Sequence, residues 1–88
     1  MHEFSLMADL FRKIREISND NNNRKIVTVR VKLGGLSHIT PHHFEEHFID
    51  FSKGTPADGA KLEIVQLDDR NDPNAQSILL ESVDLDVQ

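Results

Sequence analysis

Between Ile26 and Leu33 the chain reads Ile-Val-Thr-Val-Arg-Val-Lys-Leu, and this segment restricts the fold more than any other. Val27, Val29, Val31 and Leu33 alternate with Thr28, Arg30 and Lys32, the two-residue period of a strand with one face buried and the other in water. A half-buried strand has to be paired along its edges and covered on its apolar side, so the rest of the chain must supply partner strands and a covering layer. Gly34-Gly35 ends the strand.

The covering layer is readable on both sides of it. From Ser5 to about Ser18, Met7, Leu10, Phe11, Ile14 and Ile17 recur at helical spacing, with Asp9, Arg12, Lys13, Arg15 and Glu16 off that face. Ser5 is the expected N-cap. The run Asn19-Asp20-Asn21-Asn22-Asn23 is the expected stop, because these side chains compete for backbone hydrogen bonds. Thr40-Pro41 reads as a cap followed by proline at the first helical position. Phe44, Phe48 and Phe51 form the apolar stripe of this second helix, and Gly54 closes it. After the turn-rich Thr55 to Gly59, Lys61 to Leu67 and Ser77 to Val87 read as two more strands, joined by the loop Asp68 to Gln76. In the last strand Ile78 and Leu80 face one way and Val83, Leu85 and Val87 the other, which predicts a bulge near Glu81. The expected fold is α+β in the order α-β-α-β-β: one domain, with two helices on one face of a three-stranded mixed sheet.

Composition narrows function by exclusion. Eighty-eight residues make one small domain with a modest core. There is no cysteine, which removes disulfides, thiolate zinc sites and cysteine nucleophiles together. The net charge of −5 has the wrong sign for nucleic acid, and no aromatic residue accompanies Arg30 and Lys32 for base stacking. No apolar stretch is long enough for a membrane span and the first residues lack a signal-peptide layout, so a cytoplasmic protein beginning at Met1 is expected.

The N-terminus carries the strongest chemical suggestion. In Met1-His2-Glu3 one imidazole lies a single peptide bond from the α-amine. The amine, the His2 backbone nitrogen and the His2 ring nitrogen can close fused chelate rings around one ion, a nitrogen-rich planar set suited to Ni(II) or Cu(II). Three residues are a weak signal alone, since an initiator methionine before any surface residue is commonplace.

Longer blocks give that signal a context. Met1 to Leu6, Val31-Lys32-Leu33-Gly34-Gly35-Leu36-Ser37 and Ser52 to Ile64 together resemble the HypA/HybF family. The similarity holds in order and spacing from Met1 to about Val65, and resumes weakly at Leu80 to Val87. The resemblance implies a nickel-insertion accessory protein for NiFe hydrogenase, and in some bacteria urease, with nickel as cargo held by Met1, His2 and Glu3. It also implies a maturation GTPase and a hydrogenase large subunit as partners, and no catalysis. Histidine after the initiator also disfavours removal of Met1, because methionine aminopeptidases prefer small second residues.

Two departures stand out. Family members carry a zinc domain with paired C-x-x-C motifs between their last two strands. Here Asp68 to Gln76 replaces it, so no structural zinc is expected, whether the short loop is natural or introduced. Thr40 stands where many relatives have an acidic residue.

His43-Phe44-Glu45-Glu46-His47 matches the letters of an inverted zinc-peptidase motif, but the chain is too short to supply a third distant ligand and a cleft. His47 is expected to pack beside the phenylalanine stripe. His38, His42 and His43 are candidate auxiliary metal ligands, able to serve the N-terminal site if the second helix starts near it. Asp84 and Asp86 read as solvent-facing charges guarding a sheet edge, and Asp68, Asp69 and Asp72 as turn formers rather than a calcium loop. Ile49 points away from the stripe, as an anchor for a partner or an ordinary exposed residue. The rival to metal delivery is a scaffold that binds a partner, or a second copy through an open sheet edge to form a homodimer, without a metal duty.

Overall fold

The computed structural model describes residues 2–34, 40–67 and 78–86, with side chains described from Ser5 onward. The elements run α1 (His2–Asp20), β1 (Ile26–Leu33), α2 (Pro41–Ser52), β2 (Lys61–Gln66) and β3 (Ile78–Leu85). β1 is central. It pairs parallel with β2 and antiparallel with β3, giving a mixed sheet in the order β2-β1-β3. This is the expected α+β architecture.

The core joins one helical face to one sheet face. Met7, Leu10, Phe11 and Ile14 of α1 and Phe44 and Phe48 of α2 bury against Ile26, Val29, Val31, Leu33 and Ile78. Phe51, Leu62, Ile64, Leu80, Val83 and Leu85 are partly buried around them. Phe11 lies 5.1 Å from Phe48 and 5.9 Å from Phe51 between ring centroids, so aromatic packing joins the two helices. The opposite sheet face is ionic. Arg30 spans all three strands, donating to Glu63 of β2 at 3.1 Å and to both carboxylate oxygens of Asp84 of β3 at 3.0 and 2.9 Å.

Two expectations need correction. α1 begins at His2, so Ser5 sits inside its first turns and is not the cap; nothing before Ser5 breaks a helix, and Glu3 in the first turn suits the positive end of the helix dipole. The asparagines do stop the helix, with Asn22 and Asn23 in the left-handed region at φ 63° and 59° and Asn21 donating its side-chain amide to the Ile17 carbonyl at 2.7 Å. Val27 is 41% exposed and Ile26 is buried. The cause is a bulge: Ile26 pairs with Leu85 and Thr28 with Asp84, leaving Val27 as the extra residue of β1. The expected bulge on β3 is present, since Arg30 pairs with Ser82 and Val31 with Leu80, leaving Glu81 extra. One insertion in each strand restores the register across the ladder. Asp84 is exposed on the edge strand β3 as expected, and Arg30 engages it there and holds its carboxyl below the usual carboxylate range.

Thr40 caps α2 as expected, its hydroxyl accepting from the His43 N–H at 3.2 Å, with Pro41 beginning the helix. At the other end Lys53 is the cap residue and Gly54 follows it at φ +77°, a conformation glycine adopts without steric cost.

Candidate metal centre

Strand pairing decides where the candidate ligands lie. α1 reaches β1 through the five residues Asn21 to Lys25, and the Ile26 N–H donates to the Pro56 carbonyl at 2.9 Å, just past the end of α2. Both helices therefore finish at the beginning of β1. Because β1 and β2 are parallel, α2 runs back against them, and so does α1. Both helix N-termini accordingly lie at the far end of the sheet, beside Leu33.

The chain's first residues thus occupy a helix start. The first four N–H groups of an α-helix have no intrahelical acceptor, so the His2 amide is not engaged in the helical hydrogen-bond ladder. Met1 and the side chains of His2 and Glu3 lie outside the described residues, as does His38.

His42 and His43 occupy the first turn of α2. The His42 Nε2 lies 3.0 Å from Glu46 Oε1, both side chains being well exposed. His43 is also exposed, whereas His47, one turn on, is half-buried as expected for a residue flanking the phenylalanine stripe. The His43 and His47 rings are 6.5 Å apart between centroids and nearly perpendicular at 74°. Among the described residues, no three His, Cys, Asp or Glu side chains gather into a group that could hold a metal ion. An ion here would draw on two imidazoles, on donors of the N-terminus, or on both. The sequence offered His43 and His47 both as an i,i+4 pair able to share one ion and, for His47, as a packing residue; the half-burial of His47 agrees with the packing role. None of the described helices is long and apolar enough to cross a membrane.

Comparison with known proteins agrees with the resemblance carried by the sequence blocks. The hydrogenase maturation factor HypA of Aquifex aeolicus (strain VF5) is 39% identical over 62 residues, which is 70% of this chain and 54% of that protein. The hydrogenase maturation factor HypA of Archaeoglobus fulgidus is 38% identical over 64 residues, 73% of this chain and 58% of its own length. This chain therefore spans little more than half the length of the curated relatives it matches. The solution structure of a HypA protein superimposes with a TM-score of 0.63 over 99% of this chain and 93% of that one, at 22% identity, and shares the fold. The model of a family described as hydrogenase/urease nickel incorporation metallochaperones matches residues 1–71, and the chain belongs to that family, HypA.

Proposed function

We propose that this chain is a non-enzymatic nickel carrier for the maturation of NiFe hydrogenase, with urease as the other client class. Its cargo is Ni(II), held by the Met1 amine, the His2 amide and imidazole and a Glu3 group, and then passed on. The observation that carries this reading is that His2 and Glu3 open the first turn of α1 in a chain of the HypA family.

The physics of a helix start suits a carrier. Displacing the His2 amide proton breaks no helical hydrogen bond, because that N–H has no intrahelical acceptor. The positive end of the helix dipole opposes a cation, while the ionised amide and the Glu3 carboxylate offset it. These opposing effects favour moderate affinity. A terminal turn also opens more readily than a closed cage, which lets the ion leave.

As a unit, residues 1–88 form one nickel-binding domain in which the loop 68–76 stands in place of a zinc domain. No structural zinc takes part, since the cysteines that would bind it are missing from the sequence. A maturation GTPase and the hydrogenase large subunit are the partners by family analogy. The carrier works in the cytoplasm.

Ni(II) titration of three forms tests the reading: the native terminus, His2→Ala, and a form with residues added before Met1. The native form takes up one nickel ion that the other two lose. Equal binding by all three overturns the assignment and favours a scaffold without a metal duty.

A further inference from the structure

Residues four apart on a helix lie almost above one another, so α1 carries positions 3, 7 and 11 in one row and α2 carries 43, 47 and 51 in another. The rows meet at Phe11 and Phe51, whose rings stack at 5.9 Å with 22° between their planes. Both helices run the same way from the Leu33 end of the sheet, so the rows run side by side. Position 3 of α1 and position 43 of α2 each stand two turns, about 12 Å along the axis, before that aromatic contact. The imidazole row is thereby level with the first turn of α1.

Within that row His43 and His47 form an i,i+4 pair on neighbouring turns, their rings 6.5 Å apart. Modest side-chain rotation brings two such nitrogens onto one ion, as in helical His-x-x-x-His metal sites. The backbone under the pair is fixed, because the His43 N–H is held by Thr40 and the next turn by the buried Phe44 and Phe48. His42 is directed to Glu46 and is not part of the pair.

We propose that His43 and His47 form a second, weaker site for a divalent late transition metal, occupied by nickel on its way to or from the N-terminal chelate. This rests on the N-terminal reading above for its role, though the site itself does not. Imidazole nitrogen suits Ni(II), Cu(II) and Zn(II) alike. Two protein ligands with water in the other positions bind weakly and exchange fast, which is what transit requires. Transfer is ligand exchange: waters and imidazoles leave the ion as amine, amide and ring nitrogens of the N-terminus replace them, and the displaced protons go to solvent.

The test uses the full chain with the Met1 amine acetylated, which disables the N-terminal chelate, and Ni(II) as the probe. The acetylated protein still binds nickel, with paramagnetic broadening of the His43 and His47 ring resonances, as expected for a six-coordinate ion. His43→Gln/His47→Gln in the same acetylated background weakens binding by about tenfold or more and abolishes the broadening. His43→Gln alone, at an exposed position, gives the same loss and guards against misfolding of the double variant. With a free amine, the double variant keeps the N-terminal site but loads it several-fold more slowly. Equal nickel binding by acetylated wild type and either acetylated variant, or none by any of them, overturns the proposal. Failure of the N-terminal reading is separate: it appears as equal binding by free and acetylated wild type.

Discussion

Phe11→Leu tests the packing that aligns the two helices. Phe11 is 3% exposed and its ring stands 5.1 Å from Phe48 and 5.9 Å from Phe51. Leucine keeps most of the apolar burial but removes both ring pairs, each worth about 0.5–1.5 kcal/mol beyond area. With a small packing defect added, the expected loss is about 1.5–3 kcal/mol. For a domain of this size each kcal/mol moves the melting temperature by about 4–8 °C, so a fall of roughly 6–24 °C should follow. Urea melts of Phe11→Leu, Phe51→Leu and the double variant separate the specific contact from general loss of bulk. The two substitutions should couple by about 0.5–1.5 kcal/mol. Additivity within about 0.3 kcal/mol would show that the rings do not recognise each other, and would remove the register that sets position 43 level with position 3.

Other substitutions probe the remaining elements. Thr40→Ala removes the acceptor of the His43 N–H and should cost about 1 kcal/mol in a urea melt, while Thr40→Ser should cost much less; equal costs would deny the cap. Deleting Glu81 takes out the extra residue of β3 and leaves every other pairing intact, so circular dichroism should report a folded protein; an unfolded one would contradict the bulge. Asp84 has a depressed carboxyl pKa, chiefly through its hydrogen bonds to Arg30, so its stabilisation is complete above the ordinary carboxylate value of about 3.9 and fades as pH falls through the lower folded value. Asp84→Asn should therefore weaken the protein near neutrality and converge with wild type in acid, as followed by urea midpoints across pH. Nickel affinity of the native terminus should rise with pH, since binding displaces protons from the amine and amide; a flat profile in a dialysis titration would refute that ligand set.

Periodicity carried much of the architecture. The 3.6-residue recurrence from Met7 to Ile14 and the alternation from Val29 to Leu33 survive because burial on one face imposes them. Glu81 was legible as a bulge because the apolar phase inverts on either side of it. Val27 was not, since Ile26 and Val27 are both apolar and either could face inward. Ser5 misled for a related reason: a good capping residue also fits inside a helix when nothing upstream prevents another turn. Ser18 was missed altogether. It is buried, and its hydroxyl donates to the Arg24 carbonyl at 2.8 Å, a pairing set by the turn after α1 that no local pattern announces. For the metal centre, residue types and spacing were visible, but the nearness of the two helix starts depends on the parallel pairing of β1 with β2, a long-range fact.

Leu33 pairs with Gln66 on one side and Ile78 on the other, and its carbonyl accepts from the Leu67 N–H at 2.8 Å. The segment between β2 and β3 therefore leaves and rejoins the sheet at points two strand spacings apart, about 10 Å. A bridge of a few residues closes such a gap, and so does a whole folded module whose termini lie close together. Exchanging one for the other leaves strand pairing unstrained, which is how a single scaffold can accept or dispense with an appendage there.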